Sequence, residues 1–534
     1  MFSKMIPTGG ASGPAGLVLS ALFGFAFAFY LTPEGYIAGT AGYWQNQIED
    51  IAQYQSGFTA YLHAPWGWPL LSIPSLDWPH GTVVTFVDAI PVMALTLKAA
   101  ALVVPVPENP FGYWLLFCYM MQGVAAWFAI SQIRPGNWAA LGLAVFFCVL
   151  MPSLAARMGH LALQAHFLLI FALGLYFRSM RRERALIVGW SLLLAASFYI
   201  HLYLAAMVAA VLLACALDLF RRTRRGATLA AHAIPIAVLL LTFPPMLGTS
   251  LGNAVQNDGF GYYSMNLLAP LINLPTDWLG TTGQYEGYNY LGPGLIALIA
   301  VALFSRPAAS ESRPLFGRYL ILALLACFLY ALSNKIYAGT LKVASWPQPA
   351  FLVPIFGTFR SSGRMFWIVS YALVFFAVAR TTAAVQARTL LGFAVVVALQ
   401  AAVLNPDFAG VREALRRPPF TPADPVAWRA ALDGVKTMHV FPKFLCNAWS
   451  REILPLQVIA AGGGYNITTG SIARYSADCD ATAAEIAASD PDTAAYVFVR
   501  EKFSDEEIRA YVPHRARCGQ LDIWVVCRKE QPAG

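Results

Sequence analysis

The sequence predicts a polytopic α-helical membrane protein with a small α/β domain at its C-terminal end. Only 12% of the 534 residues are Asp, Glu, Lys or Arg, and 58% are apolar. The charges fall in short clusters between long apolar runs such as Leu17–Tyr30. A chain with this pattern is soluble in lipid rather than in water. The net charge of +8 comes from arginine clusters beside apolar segments, which the positive-inside rule explains, so nucleic-acid binding is not expected.

Eleven apolar segments are predicted to span the membrane. Several of them are shorter than the roughly 20 residues that cross a bilayer. The segment 87–105 is also apolar, but it contains Asp88, Pro91 and Lys98, and charges and proline are unfavourable in a spanning helix. It is predicted to be a re-entrant or interfacial helix; the alternative is that it spans and one of the short helices after it does not. The predicted spans are 13–32, 112–132, 137–152, 160–177, 186–199, 202–219, 229–248, 292–305, 319–333, 364–381 and 388–404.

Basic clusters predict the orientation of these helices. The clusters Arg178–Arg184, Arg221–Arg225, Arg306–Arg318 and Arg380–Arg388 fall on one side if the eleven helices alternate. Cytoplasmic loops carry an excess of Lys and Arg, so this side is predicted to be cytoplasmic, and the N-terminus with it. Because the large loops and the tail are predicted to lie on the other side, the protein is expected to act on the outer face. The segments predicted to lie outside are the loops 35–88, 249–290 and 334–363 and the tail 405–534.

The cysteines divide into two groups. The four in apolar segments are expected to be buried thiols. The four in the tail are predicted to form the disulfides Cys446–Cys479 and Cys518–Cys527, because each pair closes a modest loop; four free thiols are the alternative. Disulfides would put the tail in an oxidising compartment, periplasmic or extracellular. The cysteines of the apolar segments are Cys118, Cys148, Cys215 and Cys327.

The tail has the pattern of an α/β domain. Four short runs rich in β-branched and aromatic residues predict strands, and two predict helices. The run Gly462–Gly464 has neither a following lysine nor a dinucleotide pattern, so a turn is predicted rather than a phosphate-binding loop. The predicted strands are Thr437–Pro442, Ile467–Arg474, Ala495–Arg500 and Leu521–Arg528, and the predicted helices are Ala481–Ser489 and Asp505–Tyr511.

Polar residues just outside the predicted spans are candidates for function. Glu49 and Asp50 lie in the first outer loop, where neighbouring carboxylates can take a proton; a solvated helix face is the simpler interpretation. His63 and Trp66 belong to a Trp- and Pro-rich run suited to the headgroup region. Asp88 stands at the mouth of an apolar segment, where a helix N-cap is an equally good interpretation.

Two further outer segments carry basic groups. Arg360 and Arg364 depart from the positive-inside tendency, and guanidinium forks match phosphate oxygens. A phosphate or pyrophosphate is the predicted ligand, with anionic lipid headgroups as the alternative. Arg157 and His160 follow the span 137–152, and for His160 a buried, hydrogen-bonded histidine is the alternative interpretation.

These residues suit the transfer of a sugar from a lipid-linked donor, because such a reaction uses carboxylates, arginines and an adjacent bilayer. A sugar carried on a polyprenyl phosphate enters from the membrane, and a carboxylate takes the proton of an acceptor hydroxyl. The phosphate leaves from the anomeric carbon while arginine or histidine stabilises its charge.

This arrangement resembles the GT-C-type membrane glycosyltransferases. In that class a first helix leads to a large outer loop with an acidic residue near its start, which Glu49 and Asp50 match here. Pro152–His160 is similar to the second outer turn of that core, and Tyr199–Tyr203 to a further one. The resemblance implies a GT-C-like fold, a polyprenyl-phosphate sugar donor and an envelope glycan or lipid acceptor.

More narrowly, the chain resembles an uncharacterised bacterial branch of such proteins, which implies the inner (plasma) membrane. Relatives of the wider class often carry an acidic residue beside the position of His160, whereas this chain does not, so Asp88 is the expected substitute. The stretches that carry the resemblance are His63–Leu70, Asp88–Pro91, Arg157–Gln164, Gln284–Gly292 and Phe359–Trp367.

The predicted roles follow from these two lines of reasoning. Asp50 is the predicted general base, with Glu49 as the second choice. The donor phosphate is predicted to contact Arg360 and Arg364, with Arg157 and His160 beside them. Glu286, His63 and Trp66 are predicted to bind substrate. A divalent metal is compatible with this site but not required by it.

A transporter or a non-catalytic assembly factor for lipid-linked envelope glycans is the rival interpretation. Transporters commonly contain internal repeats and broken helices, and the sequence has no clear repeat. Charge within the predicted spans is also scarce, which argues against an ion-coupled pump. The large outer loops favour the enzyme.

Overall fold

The computed structural model describes residues 10–249, 258–305, 314–383, 386–474, 476–480, 482–513 and 516–529. Parts of three predicted loops, residues 250–257, 306–313 and 384–385, lie outside the described residues. The α-helices, in chain order, are α1 (Pro14–Leu31), α2 (Asp50–His63), α3 (Pro91–Ala100), α4 (Phe111–Ile133), α5 (Trp138–Val149), α6 (Pro152–Ala155), α7 (Phe167–Arg182), α8 (Ile187–Phe198), α9 (Leu202–Thr223), α10 (Gly226–Leu247), α11 (Pro293–Phe304), α12 (Arg318–Leu332), α13 (Val353–Thr358), α14 (Trp367–Thr381), α15 (Ala387–Ala414), α16 (Pro425–Ala431), α17 (Ser450–Gly463), α18 (Thr482–Ala488) and α19 (Asp505–Tyr511). The strands are β1 (Ser72–Ile73), β2 (Thr82–Val83), β3 (Lys335–Ala338), β4 (Leu341–Ser345), β5 (Thr437–Phe441), β6 (Asn466–Ile467), β7 (Ala494–Val499), β8 (Ala516–Leu521) and β9 (Trp524–Lys529).

Every predicted span corresponds to a helix, but the helices differ in length. Among the described residues, eight helical segments are long and apolar enough to cross a membrane. The helices α8 and α11 have 12 residues each and α12 has 15. Twelve residues rise about 18 Å, which is less than the roughly 30 Å of a hydrocarbon core. The chain is a membrane protein; the count of eleven spans, and the orientation that depends on it, stay predictions.

The segment 87–105 forms the ten-residue helix α3. A helix of that length is about half as long as a spanning helix, which favours the interfacial interpretation. Asp88 is not its N-cap: Ile90 holds that position, and both residues have left-handed backbone angles, with φ of 52° and 54°. The proposed capping role of Asp88 is therefore wrong.

Contacts along the chain define two compact units. The first comprises Met1–Ile37, Phe111–Leu241 and Gln256–Leu415, and the second comprises Ala38–Pro110, Thr242–Val255 and Arg416–Gly534. The first unit contains most of the apolar helices. Within it, α4 packs against both α1 and α7, and α7 also packs against α9.

Two short helices of the first unit, α11 and α12, begin on side chains from longer neighbours. The carboxylate of Asp218, in α9, accepts hydrogen bonds from the backbone N–H groups of Tyr319 and Leu320 at 3.1 Å each, at the start of α12. The side-chain oxygen of Gln400, in α15, accepts from Gly294 and Leu295 at 2.9 and 3.2 Å, at the start of α11. The first N–H groups of a helix have no partner within the helix, so these contacts satisfy groups that are costly to bury in lipid.

The second unit contains a sheet with the strand order β6-β5-β7-β9-β8. Strand β5 pairs in parallel with β6 and β7, whereas β9 is antiparallel to β7 and β8. The predictions of β5, β7 and β9 are confirmed in position, as are helices α18 and α19. The predicted strand Ile467–Arg474 is wrong, because only Asn466 and Ile467 pair with β5.

Several elements of this unit were not predicted, among them β8 and α17. Strand β8 is an exposed edge strand with the polar sequence ARCGQL, so it lacks the apolar alternation that identifies a strand. Helix α17 contains Pro455, and a proline inside a segment usually predicts that the segment is not helical. The glycine run is the end of α17: Gly462 and Gly463 are helical, and the predicted turn is limited to Gly464, which has the left-handed φ of 72°.

The first outer segment folds within the second unit. Helix α2 packs against α17, and the side-chain amide of Gln457 donates to the hydroxyl of Ser56 at 2.9 Å. Backbone hydrogen bonds join Ile467 to Ser75 at 2.8 Å and Trp78 to Ile467 at 2.9 Å. The residues between α1 and α3 are therefore more than the loop 35–88 that the sequence predicted, because they include helix α2.

The disulfides Cys446–Cys479 and Cys518–Cys527 are both present, as predicted. The four cysteines of the apolar helices are free and buried. Disulfides fit an oxidising compartment, so the C-terminal domain has the chemistry of an extracytoplasmic domain.

We expect the loss of either disulfide to lower the thermal stability of the C-terminal domain, and the loss of Cys446–Cys479 to lower it more. The pairs are separated by 33 and 9 residues, and the chain-entropy relation gives about 3.7 and about 2.6 kcal/mol for loops of these lengths. The measurement is the unfolding temperature of the two double Cys→Ser variants in detergent. Equal unfolding temperatures in wild type and both variants would contradict the expectation.

Candidate functional site

A buried glutamate, Glu286, lies at the centre of the candidate site in the first unit. It belongs to the 3-10 turn Thr282–Gly287 and is only 4% exposed. The turn is held by Gln284, whose side-chain oxygen accepts from Asn266 Nδ2 at 3.0 Å and from the N–H of Gly280 at 2.9 Å. The Gln284 amide group donates to the hydroxyl of Ser264 at 3.2 Å. These bonds fix the backbone that carries Glu286.

Two glycines bring this turn against the segment before α14. A Cβ atom on Gly363 would lie 2.5 Å from the Cα of Gly287, so neither position has room for a side chain. The side-chain amide of Asn289 donates to both carbonyl groups, at 3.0 Å to Gly287 and 2.9 Å to Gly363. Glu286 and Arg364, each next to one of these glycines, are therefore neighbours.

Three basic side chains converge on the Glu286 carboxylate. Arg157 Nη1 donates to Oε2 at 2.8 Å. Arg364 donates to the same oxygen from Nε at 3.0 Å and from Nη2 at 2.8 Å. His160 Nε2 lies 3.3 Å from Oε1. We call these four residues the Glu286 cluster.

The cluster is buried on its glutamate and arginine side and open at its histidine. The side chains of Arg157 and Glu286 are 3% and 5% exposed, whereas that of His160 is 29% exposed. Arg157 Nη2 also donates to the carbonyl groups of Tyr285 and Glu286, at 2.9 Å each. The Arg364 guanidinium lies 5.0 Å from the ring centre of Tyr203, a favourable cation–π distance.

The charges of the cluster keep Glu286 ionised. Burial alone would raise the pKa of its carboxyl group, but the positive charges of Arg157 and Arg364 outweigh burial and hold that pKa far below its ordinary value. Burial lowers the pKa of Arg157, and Glu286 opposes that change. A carboxylate that is so strongly stabilised as an anion is a poor base. Glu286 is therefore held as an anion between the basic groups.

A cavity of about 490 Å³ adjoins the cluster within the same unit. Its wall includes Ala156, which precedes Arg157, and Tyr285, which precedes Glu286. Its polar lining also contains Asn273 and Asp407, and Asn273 Nδ2 donates to Asp407 Oδ2 at 3.0 Å. Neither Asn273 nor Asp407 was identified from the sequence, since a lone aspartate at the end of an apolar run gives only a weak signal.

Arg360 is not a member of the cluster. Its Nη1 donates to the carbonyl group of Asp258 at 3.1 Å, and its guanidinium lies 5.3 Å from the ring centre of Tyr263. Its predicted contact with phosphate stays a prediction. Of the four predicted phosphate ligands, the structure thus brings Arg157, His160 and Arg364 together around Glu286.

The remaining predicted site residues belong to the second unit. Glu49 precedes α2 and forms an ion pair with Arg417, while Asp50 is the first residue of α2. Burial, together with the charge of Glu49, raises the pKa of the nearby Tyr43 to about 12. His63 is the last residue of α2.

Trp66 and Asp88 also belong to this unit. The Trp66 ring centre lies 5.1 Å from Lys98 Nζ, and Asp88 ends the 3-10 turn Val84–Val87. The predicted roles of Glu49, Asp50, His63, Trp66 and Asp88 stay predictions. Within the described parts of the chain, no group of three or more His, Cys, Asp and Glu side chains is arranged to hold a metal ion.

The apolar helices and the disulfide-bonded sheet domain define a polytopic membrane protein with a C-terminal domain of extracytoplasmic character. The chain belongs to the family described as domain of unknown function DUF6311, whose model matches residues 21–405. The model of the DUF6311 C-terminal domain matches residues 427–529. No curated protein matches the chain.

We expect Glu286→Gln to lower the free energy of unfolding by about 3 to 5 kcal/mol, the usual result of breaking a buried ion pair on one side. The matched control is Glu49→Gln, whose exposed ion pair with Arg417 should contribute less than about 1 kcal/mol. The measurement is thermal unfolding of the purified variants in detergent. A Glu286→Gln protein as stable as the control would contradict the expectation.

The same variant should alter the pH dependence of stability. Because the folded-state pKa of Glu286 lies below its ordinary value of 4.5, its carboxylate stabilises the fold fully above that pH, and this contribution is lost as the pH falls toward the folded-state pKa. Unfolding temperatures between pH 6 and pH 3 should therefore fall more steeply in wild type than in Glu286→Gln. Parallel pH profiles would show that Glu286 is not held as an anion.

Proposed function

We propose that this protein is a glycosyltransferase that moves a sugar from a polyprenyl-phosphate donor to an envelope glycan or lipid acceptor on the outer face of a bacterial inner membrane. The observation that carries the proposal is the Glu286 cluster, in which two buried arginines share one carboxylate. Both guanidinium groups, from residues far apart in the chain, meet at one carboxylate. Guanidinium groups gathered in one place favour an anionic ligand such as phosphate.

Unused hydrogen-bonding capacity in the cluster supports a phosphate as that ligand. Arg157 is 3% exposed, and its buried Nε has no hydrogen-bond partner among the described residues. Arginine presents several donors in a planar fork that matches phosphate oxygens. The partly exposed His160 gives the ligand a point of access, and its ring can donate a hydrogen bond to a phosphate oxygen.

The surroundings of the cluster support a lipid-linked donor. Arg364 lies within the apolar segment Ser362–Thr381, which is long enough to cross a membrane. A polyprenyl chain is soluble in the bilayer that such segments occupy, so its phosphate would reach a site at the end of the segment without leaving the membrane. A water-soluble nucleotide sugar would gain nothing from this location.

In the proposed reaction, the acceptor hydroxyl loses its proton to a carboxylate and its oxygen bonds to the anomeric carbon. The bond from that carbon to the phosphate oxygen breaks, and the leaving polyprenyl phosphate keeps the electron pair. Arg364, Arg157 and His160 stabilise the charge that develops on it. Asp50 is proposed as the base and Glu49 as the second choice, because both follow the first predicted span.

We expect Asp50→Asn to abolish release of polyprenyl phosphate from a polyprenyl-phosphate sugar while leaving the unfolding temperature unchanged. An amide cannot accept the hydroxyl proton. The control is Asp277→Asn, the same change at an exposed aspartate with no polar partner among the described residues. Normal release by Asp50→Asn would remove Asp50 from the mechanism. Binding of the donor without release by wild type, with acceptor present, would favour the rival transporter.

We expect Arg364→Lys to slow release by about tenfold to a hundredfold, since a contact to a charged group contributes roughly 1.5 to 3 kcal/mol. Lysine keeps the charge but loses the two-nitrogen contact with Glu286 and the planar fork. Arg184→Lys, at an exposed arginine of the first unit, is the control and should retain the wild-type rate. Equal rates in both variants would argue against a phosphate contact at Arg364.

A further inference from the structure

The cavity beside the Glu286 cluster differs from the cluster in charge: the cluster is rich in basic side chains, whereas the cavity is not. Its only acidic lining residue among the described residues is Asp407, and no basic side chain lines it there. An anion would be repelled by Asp407, whereas hydroxyl groups would donate hydrogen bonds to it. The cavity is therefore suited to a neutral, hydroxyl-rich ligand.

Asp407 differs from Glu286 in its partners. Glu286 is enclosed by two arginines and a histidine, but within the described residues Asp407 has no ion pair and accepts one hydrogen bond, from Asn273 at 3.0 Å. An ionised carboxylate can accept about four hydrogen bonds. Most of the accepting capacity of Asp407 is thus available to a ligand.

The position of Asp407 follows from the sequence of α15. The helix carries an apolar run up to Leu404 and contains Pro406 just before Asp407. Proline has no N–H group, so the helix lacks one backbone hydrogen bond here. Pro406, Asp407 and Gly410 all line the cavity, so the end of this long helix forms one of its walls.

Aromatic residues also line the cavity. Tyr285 and Tyr288 line the cavity, and the Tyr285 side chain is exposed while its carbonyl group binds Arg157 at 2.9 Å. Burial, with the negative charge of Asp407, raises the pKa of Tyr288, so its hydroxyl stays protonated and able to donate. The amides of Asn266 and Gln284 also face the cavity, but they are used within the protein.

We propose that this cavity binds a neutral sugar ring, with Asp407 and Asn273 hydrogen-bonded to its hydroxyl groups and Tyr285 against its apolar face. The volume of about 490 Å³ falls in the range of small-molecule sites. Tyr285 contributes to both places, because it is a lining residue of the cavity and its carbonyl group accepts a hydrogen bond from Arg157 of the cluster. A sugar in the cavity would thus lie beside a phosphate in the cluster. This inference extends the proposed function, but it concerns binding and does not require transfer.

The test is saturation-transfer difference NMR on the full-length protein in detergent, with D-glucose, D-galactose, D-mannose and D-arabinose as probes. We expect saturation transfer to at least one sugar, and we expect Asp407→Asn to weaken its Kd by about tenfold to a hundredfold, as for loss of hydrogen bonds to a charged group. Asp277→Asn is the matched control, because it makes the same change at an exposed aspartate of the first unit. It should leave the Kd unchanged.

Asn273→Ala provides a second variant, on an exposed side chain, should Asp407→Asn fail to fold. It should also weaken the Kd. Absence of saturation transfer to all four sugars would overturn the proposal, and so would a Kd unaffected by the cavity variants.

The outcome is separable from that of the transferase proposal. Sugar binding that depends on Asp407, with no release of polyprenyl phosphate by wild type, would support the cavity and reject the transferase. Release of polyprenyl phosphate with sugar binding that is indifferent to Asp407 would support the transferase and reject the cavity.

Discussion

The first unit depends on one buried carboxylate. Glu286 joins residues that lie 129 positions before it and 78 positions after it, and each of those residues opens a different apolar segment. A buried ion pair contributes little net stability, yet loss of one member leaves the others charged and unpaired. The cluster therefore links the two segments, because Arg157 and Arg364 pair with Glu286 only when both lie beside it. The close approach of Gly287 and Gly363 is the steric counterpart of the same link.

A second constraint is the treatment of polar groups inside the apolar helices. Asp218 and Gln400 are both almost fully buried, and each is used to begin a neighbouring short helix. The hydroxyl of Tyr371 accepts from the side-chain amide of Gln122 at 2.8 Å and lies 2.9 Å from Nδ1 of His166. In lipid an unpaired polar group costs several kcal/mol. These residues thus explain how helices too short to be stable alone are held in the bundle.

The sequence predicted well what depends on local pattern. The apolar runs placed every long helix, and the spacing of the tail cysteines predicted both disulfides. It failed where structure depends on distant residues. Helix α17 contains a proline that its buried environment tolerates, and β8 is a polar edge strand stabilised by its pairing with β9. A helix N-cap was one of two interpretations of Asp88, but Ile90 holds that position.

The candidate site shows the same division. Its basic residues were recognisable one by one, because arginines on the predicted outer side are unusual. Their meeting point was not, since it requires segments far apart in the chain to pack together. Asp407 was missed because nothing in a single aspartate after an apolar run indicates a cavity. Glu286 was predicted to bind substrate, and that role stays a prediction; the sequence did not indicate that its carboxylate pairs with two arginines.

The union of the first outer segment with the C-terminal domain sets an order of events during synthesis. Gln47 is hydrogen-bonded to Ala423, which lies 376 residues later, and Ser75 is joined to Ile467. A ribosome adds about 5 to 20 residues each second, so the segment emerges tens of seconds before its partners exist. During that interval its apolar surfaces are unpaired and open to chaperones or proteases. The first segment of the second unit to be synthesised therefore cannot complete its contacts until the C-terminal domain has been made. A chain truncated before residue 420 would never complete them.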